Sequence, residues 1–323
     1  MKQQLPQRRL RLAFFGTPDI AKTVLAALLD AGEDDVVLVV SQPDRPKGRG
    51  KKLEPTPVKA LAEARGIPVT QPTKLRDGAL AAQLKALEVD LAIVVAYGRI
   101  LPVDLFEAPT FHTWNVHASL LPRHRGASPI QHAILTGDAE TGVTLMQLSE
   151  GMDEGAMLHT RALPLDGTET TESLTEALAK LGGEALVEGL ALAKAEGLEV
   201  TPQDEARVTY APLIDKSAGA LDFTRPAAEL ERRIRAFFPW PGCFVPLSDG
   251  PLKILAAQVV GGSGAAPGTL TALKPLTVET GEGALVITQL QPPGKKPMDA
   301  AAYLNGAGRG LVVGTRWSSV TAD

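Results

Sequence analysis

The chain has little cysteine and few aromatic residues, and both shortages narrow what it can be. Cys243 is the one cysteine among 323 residues, which excludes an intrachain disulfide framework and a four-cysteine zinc site. Aromatic residues make up 4% of the chain, which disfavours an RNA-binding surface built from a row of base-stacking rings. We therefore expect a protein of a reducing compartment, the cytoplasm.

Long apolar runs and an excess of positive charge are also missing. The longest apolar run, LAIVVAY at 91–97, is far shorter than the roughly 20 residues of a membrane helix. The opening MKQQLPQRRLRLAFFGTPD lacks the apolar stretch that a signal peptide needs. A formal net charge of −4 disfavours bulk electrostatic binding to nucleic acid. The length and the 44% hydrophobic content suit about two folded domains.

Strand-like apolar runs alternate with helical patterns over the first two-thirds of the chain. Thr17 can cap a helix that has Pro18 at its first position, and Thr56 with Pro57 repeats this signal. A long helical stretch follows over about 171–195. This βαβ series predicts an α/β fold with an open, mostly parallel sheet. The predicted strands are 10–15, 36–40, 91–98, 112–117 and 142–149.

The alternation of strand and helix patterns ends near residue 200. A polar, proline-containing stretch at 201–211 is typical of a linker, and it divides a domain at 1–200 from a smaller one at 212–323. The smaller domain has one helical pattern, AAELERRIRAF, followed by short strand-like runs separated by glycine and proline. These runs predict a small β-barrel or sandwich.

Asn115 and His117 end the strand predicted at 112–117. Side chains two apart on a strand lie on the same face, so their polar tips can converge on one point. An asparagine amide and a protonated imidazole are donors that suit a carbonyl oxygen on which negative charge develops. Two satisfied polar residues at a strand end are the alternative interpretation.

Asp153 lies between two glycines in GMDEG, a pattern that permits a tight loop after another predicted strand. A carboxylate at this edge of the sheet could raise the basicity of a neighbouring imidazole, or take a proton through water. An ordinary turn residue is the alternative.

The segment SLLPRHRG stiffens the exit from the Asn115 strand. Pro122 fixes its own φ angle and restricts Leu121, so Ser119, Leu120, Leu121 and Pro122 could present backbone groups to a flat polar ligand. A purely structural turn is equally compatible with the pattern. The arginines that follow, at 123 and 125, could orient a carboxylate or phosphate, or be solvated.

A basic loop follows the strand at 36–40, and Gly48 and Gly50 within it leave it flexible. Such a loop at the ligand edge of the sheet suits a large polyanion, although a solvated surface loop is the alternative. It lacks the spacing of a phosphate-binding P-loop, FFGTPD lacks the dinucleotide fingerprint, and the histidines show no metal-ligand spacing. The basic residues are Arg45, Lys47, Arg49, Lys51 and Lys52.

Together, NVHASLLPRHRGASPIQ and GMDEGAML resemble the formyltransferases that use 10-formyltetrahydrofolate. FFGTPDIA, SQPDRPKGRGKKLEPTPVKALA, VVAYGRILP and RAFFPWPG are similar to the members that act on initiator methionyl-tRNA. The likeness covers about residues 10 to 310, with the motifs in the expected order. It implies a Rossmann-like catalytic domain and a C-terminal barrel resembling an OB-fold.

The resemblance also implies roles for single residues. Asn115, His117 and Asp153 match the family's catalytic trio, and the turn at 119–122 matches the border of the folate site. Residues 42–53 match a loop that enters the acceptor stem of the tRNA, and the C-terminal barrel supports the tRNA body. The family needs no metal. The chain departs from the usual family residues at three positions outside the trio: Ala118, His124 and Glu154.

The implied reaction moves a formyl group from the folate to the unprotonated α-amino group of methionyl-tRNA, in a monomeric enzyme. Two rival enzymes share the same trio: a formyltransferase acting on an amino sugar nucleotide and a formyltetrahydrofolate hydrolase. The basic loop is what favours the tRNA substrate over these two. A non-catalytic RNA-binding protein is the alternative of another class.

Overall fold

The computed structural model describes residues 2–47 and 52–318, and the chain divides into two compact units. Unit 1 comprises Met1–Pro129, Glu140–Pro164 and Thr175–Ala211, and unit 2 comprises Ile130–Ala139, Leu165–Leu174 and Pro212–Asp323. No helix in the described part of the chain is long and apolar enough to cross a membrane.

The secondary structure begins with strands and helices in alternation. Up to residue 199 the elements are β1 (Lys2–Gln3), β2 (Arg11–Gly16), α1 (Asp19–Ala31), β3 (Asp35–Val40), β4 (Arg45–Lys47), β5 (Lys52–Glu54), α2 (Pro57–Ala64), β6 (Val69–Thr70), α3 (Ala79–Ala86), β7 (Leu91–Val95), α4 (Val103–Phe106), β8 (Thr113–His117), α5 (Pro129–Thr136), β9 (Glu140–Gln147), β10 (Met157–Pro164), α6 (Thr171–Ala195) and β11 (Leu198–Glu199). Two short 3₁₀ turns follow, at Glu205–Arg207 and Ser217–Gly219.

The described residues of unit 1 form a seven-stranded sheet in the order β10-β9-β8-β7-β2-β3-β6. Its five strands from β8 to β6 are parallel to one another, while β9 and β10 are antiparallel to their neighbours. Every residue of β7 and β8 is buried, as expected for strands covered on both faces. This confirms the predicted Rossmann-like, mostly parallel sheet.

The helix cap predicted at Thr56 is confirmed, whereas the cap predicted at Thr17 is wrong. The Thr56 hydroxyl accepts a hydrogen bond from the Lys59 amide and caps α2, with proline at the first helical position. Helix α1, in contrast, begins after Pro18 without a side-chain cap. Thr17 donates its hydroxyl to the Tyr97 carbonyl instead, because the turn after β7 lies next to the turn after β2.

Unit 2 contains the remaining elements: α7 (Ala227–Ala236), β12 (Cys243–Leu247), β13 (Gly250–Val260), β14 (Leu270–Leu273), β15 (Leu276–Glu279), β16 (Ala284–Gln291), β17 (Met298–Asp299) and α8 (Ala300–Asn305). Its strands form an antiparallel sheet in the order β12-β13-β16-β15-β14, with β17 paired to β16. The small all-antiparallel sheet domain is therefore confirmed. Closure of this sheet into an OB-like barrel stays a prediction.

Candidate active site

The strand β8 places two polar side chains at the carboxyl edge of the parallel sheet. Asn115 pairs with Met146 of β9, and His117 pairs with Thr144. Both polar residues are buried, with 9% and 6% of their surface exposed. Because β-strand side chains alternate, they project from the same face of β8, as the sequence predicted.

The loop between β9 and β10 brings a carboxylate to this pair. The Asn115 Nδ2 atom donates to Asp153 Oδ1 at 3.4 Å, and His117 Nδ1 lies 3.6 Å from Asp153 Oδ2. The same Oδ2 atom accepts a hydrogen bond from the Gly126 amide at 2.9 Å. The three residues predicted as a trio therefore meet around the carboxylate of Asp153, although Asp153 lies 38 positions after Asn115 in the chain.

The second ring nitrogen of His117 also faces an oxygen atom. Its Nε2 lies 3.0 Å from the carbonyl oxygen of His124, which can only accept a hydrogen bond. The other nitrogen faces a carboxylate, which is an acceptor when it is ionised. Both ring nitrogens therefore face oxygen atoms, one within hydrogen-bond distance and the other at 3.6 Å.

Both oxygen partners of this imidazole come from residues with an uncommon backbone. His124 has φ of 60° and Asp153 has φ of 52°, which is the left-handed region that non-glycine residues rarely occupy. Such a conformation costs of order 1 kcal/mol for each residue and persists where surrounding contacts enforce it. Backbone strain of this kind is concentrated at ligand-binding and catalytic sites.

Glycines make the tight loops around the trio possible. A Cβ atom on Gly155 would lie 1.8 Å from the carbonyl oxygen of Gln147, so no side chain fits where the loop returns to β9. Gly126 has φ of 124°, and a Cβ atom there would lie 2.6 Å from the carbonyl oxygen of Ala211. Close packing therefore requires glycine at position 155.

The predicted ligand-facing turn at 119–122 makes hydrogen bonds inside the protein. Thr144 Oγ1 donates to the Ser119 carbonyl at 2.7 Å and accepts from the Leu121 amide at 3.1 Å. The Ser119 hydroxyl donates to the Arg123 carbonyl at 2.6 Å. These backbone groups stiffen the turn, whereas we had expected them to be held out for a ligand. Thr144 was missed from the sequence, where it is one of several polar residues in an apolar strand.

Arg125 was expected to orient an anion or to be solvated, and both expectations are wrong. Only 2% of its surface is exposed. Its Nε donates to Gln203 Oε1 at 2.8 Å, and its Nη2 lies 2.7 Å from Glu205 Oε1. The buried guanidinium therefore joins the SLLPRHRG turn to the segment at 201–211, which was predicted as a linker.

The basic segment forms a β-hairpin. Strands β4 and β5 pair antiparallel, with Arg45 opposite Glu54 and Pro46 opposite Leu53. The tip of the predicted loop lies outside the described residues, as do the side chains at its two flanks. Contact of this segment with a polyanion therefore stays a prediction. The positions concerned are Gly48, Arg49, Gly50 and Lys51 at the tip and the side chains of Lys47 and Lys52.

A network of side chains anchors the base of this hairpin. Lys59 Nζ contacts Asp44 Oδ2 at 2.6 Å and Gln71 Oε1 at 3.0 Å, and the Gln71 amide donates to Asp44 Oδ1 at 2.7 Å. The Lys59 ammonium and the Gln71 amide lower the pKa of Asp44, whose carboxylate in turn raises the pKa of Lys59. Gln42 donates to the Tyr97 carbonyl at 2.8 Å and ties the hairpin to the turn after β7.

Within residues 2–47 and 52–318, no group of three or more histidine, cysteine, aspartate or glutamate side chains is placed to hold a metal ion. The one cysteine, Cys243, is buried in β12, and burial raises the pKa of its thiol to about 12.

Comparison with known proteins agrees with this fold. The chain belongs to the formyl transferase family: the formyl transferase model matches residues 10–190, and the formyl transferase C-terminal domain matches residues 213–308.

Two relatives are similar to this chain over nearly their whole length. The chain is 52% identical over 300 residues to the methionyl-tRNA formyltransferase of Myxococcus xanthus, covering 92% of this chain and 95% of that protein. It is 48% identical over 315 residues to the methionyl-tRNA formyltransferase of Chromohalobacter salexigens, covering 95% and 97%.

A more distant likeness is to the crystal structure of HypX from Aquifex aeolicus in complex with tetrahydrofolic acid. The TM-score is 0.61 at 17% identity, and the match covers 94% of this chain and 48% of HypX. This chain thus spans about half the length of HypX, and at such low identity the likeness concerns the fold alone.

Proposed function

We propose that this protein transfers the formyl group of 10-formyltetrahydrofolate to the α-amino group of methionyl-initiator tRNA, the step that prepares this tRNA for translation initiation. The observation that carries the proposal is the meeting of Asn115, His117 and Asp153 around one carboxylate. It occurs in a chain that is about half identical, over nearly its whole length, to methionyl-tRNA formyltransferases. Neither the sugar nucleotide enzyme, nor the hydrolase, nor a non-catalytic RNA-binding protein is favoured by these relatives.

The polar groups of the trio fit a formyl donor. The folate supplies an electrophilic carbonyl carbon that an amine can attack. Attack places negative charge on the formyl oxygen and leaves an acidic proton on the nitrogen. A site for this chemistry needs hydrogen-bond donors and a proton acceptor within a few ångströms of each other. Asn115 supplies a donor, the charged His117 ring supplies electrostatic stabilisation and Asp153 supplies the acceptor; the contacts of Asn115 and His117 to the carboxylate are 3.4 and 3.6 Å.

Each member of the trio has a distinct role in this proposal. The side-chain amide of Asn115 has two hydrogens. One is donated to Asp153, and the other stabilises the developing oxyanion. The charged His117 ring adds electrostatic stabilisation to the same oxygen. Asp153 keeps that ring charged and takes the amine proton through water towards the leaving nitrogen of the folate.

Other parts of the chain would bind the two substrates. We assign the turn at Ser119, Leu120, Leu121 and Pro122 to the border of the folate site, and the 45–54 hairpin, with its five basic residues, to the tRNA acceptor stem. Unit 2 would support the tRNA body through its antiparallel sheet. A monomeric state, a cytoplasmic location and the division at residues 200 and 212 remain predictions from the sequence.

The test is a direct assay of formyl transfer. Purified protein is incubated with 10-formyltetrahydrofolate and charged initiator methionyl-tRNA, and formyl-methionine is measured after release from the tRNA. Parallel reactions contain a UDP-amino sugar in place of the tRNA, or water alone. We expect formyl-methionine only with the charged tRNA. Formylation of the sugar, or release of formate without any acceptor, would overturn the assignment.

A further inference from the structure

The segment at 201–211, called the strap from here on, is bonded along its length to the SLLPRHRG turn. The Arg125 amide donates to the Thr209 carbonyl at 2.9 Å, and the Ala211 amide donates to the Arg125 carbonyl at 2.8 Å. The Thr209 hydroxyl accepts from the His124 amide at 2.9 Å. The strap therefore supports the residue whose carbonyl oxygen faces the His117 ring.

Gln203 in the strap holds the loop that carries Asp153. Its side-chain Nε2 donates to the carbonyl oxygen of Asp153 at 2.8 Å and to that of Gly155 at 2.8 Å. An amide nitrogen has two hydrogens, so these two bonds use its full donor capacity. Gln203 is only 9% exposed, and a buried amide is costly unless it is paired in this way.

Arg125 fixes the orientation of the Gln203 amide. Its Nε donates to Gln203 Oε1 at 2.8 Å. If the amide were turned over, its oxygen would face two carbonyl oxygens and its nitrogen would face the guanidinium, so every contact would be between like groups. The guanidinium itself is neutralised by Glu205, which is also in the strap. The position of the two donated hydrogens is therefore determined by a buried charge.

These bonds act on a residue whose backbone needs external support. Asp153 has a left-handed φ of 52°, and a left-handed aspartate relaxes to a commoner conformation unless its peptide groups are held. Gln203 holds its carbonyl, and the Gly126 amide holds its carboxylate. Loss of either restraint would let the carboxylate turn away from His117.

We propose that Gln203 is a positioning residue for formyl transfer: it fixes the backbone of the Asp153 loop so that the carboxylate faces His117 Nδ1. The inference rests on the proposed function, because it needs Asp153 to act in the reaction. Gln203 contacts the Asp153 and Gly155 carbonyls and no other member of the trio through its side-chain amide, so its effect passes through Asp153.

The test replaces Gln203 by methionine, which keeps the length and volume of the side chain and removes both donors. We expect kcat for formylation of methionyl-tRNA to fall roughly 10- to 100-fold, because a misplacement of about 1 Å can cost up to about 100-fold. The KM values for both substrates should stay within about twofold of the wild type. Gln4→Met is the matched control, since the Gln4 amide also donates to backbone carbonyls: those of Ala193 at 3.0 Å and Lys194 at 2.9 Å, with a longer contact to that of Leu5 at 3.4 Å.

Two further variants separate positioning from general destabilisation. In an Asp153→Ala background, Gln203→Met should cause no further loss of kcat, because the group it positions is already gone. Gln203→Glu keeps a partner for Arg125 while it removes the two donors, so it should lose kcat by the same factor even if the methionine variant folds poorly.

Three results would overturn the inference. They are a kcat for Gln203→Met or Gln203→Glu within twofold of the wild type, an additional loss in the Asp153→Ala background equal to that in the wild type, or an equal loss in Gln4→Met. Wild-type protein that fails to formylate methionyl-tRNA would instead refute the proposed function, so the two failures are distinguishable.

Discussion

The replacement of Asp153 by asparagine tests the chemistry of the site most directly. Asparagine has the same shape, so it can keep the hydrogen bond from the Gly126 amide through its oxygen atom. Its nitrogen then takes the place of the oxygen that lies 3.4 Å from Asn115 Nδ2, which sets donor against donor. At the same time the negative charge that lies 3.6 Å from His117 Nδ1 disappears.

The size of the effect follows from that charge. Two unit charges 3.6 Å apart attract by about 3–5 kcal/mol at an effective dielectric near 20–30, and this is the stabilisation that the charged His117 ring would lose. Each ~1.4 kcal/mol corresponds to a factor of ten in rate. We therefore expect kcat to fall about 100- to 4000-fold, a range that includes the typical loss of about 100- to 1000-fold when an oxyanion-stabilising donor is removed.

The assay is steady-state formylation of charged initiator tRNA, with KM measured for both substrates. We expect KM to change only a few-fold, because the proposal places Asp153 at the reacting atoms rather than at the outer parts of either substrate. Asp35→Asn is the control: this aspartate also lies 2.7 Å from a basic side chain, that of Arg9, but at the amino end of β3. It should leave kcat unchanged. If Asp153→Asn retained a kcat within about fivefold of the wild type, the proposed role of this carboxylate would be wrong.

Three other outcomes follow from the structure. Arg45→Ala should raise the KM for tRNA and reduce the slope of log KM against log salt concentration by about one unit. Lys22→Ala on α1 should change neither. If the slopes of Arg45→Ala and the wild type were equal, Arg45 would not contact a phosphate. Gly155→Ala should lower kcat at least about tenfold, because the new Cβ atom would lie 1.8 Å from a carbonyl oxygen. Gly261→Ala is the control, and it should leave kcat unchanged because the space around Gly261 is open. Cys243, with its pKa raised to about 12, should fail to react with an aromatic disulfide reagent at pH 8 until the protein is denatured, and a stoichiometric native reaction would contradict its burial.

The central strands could be predicted from the sequence because burial on both faces leaves a continuous apolar run. Strand β7 is an example, with all five residues buried. The edge strand β10 was missed. Its sequence MLHTRALP mixes apolar and charged residues, because exposed and partly buried side chains alternate along this edge of the sheet. Thr17 failed as a helix cap for a different reason, because its hydroxyl is used by the Tyr97 carbonyl, a contact across 80 positions of the chain.

The residues of the candidate site likewise divide into those that local sequence patterns predict and those that they do not. Strand alternation and flanking glycines point to the trio, since both are local patterns. Gln203 and the buried contacts of Arg125 could not be found in this way, because their partners lie 50 and 78 positions away and their own neighbourhoods are those of an ordinary polar loop. A buried arginine is recognisable only when its carboxylate and amide partners are known, and no sequence period records them.

The charge proposed for His117 also bears on which group removes the amine proton. In the proposed mechanism the ring is charged, so it carries hydrogens on both nitrogens and has no lone pair left to accept a proton. Asn115 cannot accept a proton at ordinary pH. Within the trio, only Asp153 retains that capacity, and 19% of its side-chain surface is exposed, so water can reach it. The proposal therefore gives proton acceptance to the carboxylate and electrostatic stabilisation to the imidazole, the reverse of the usual division between an aspartate and a histidine.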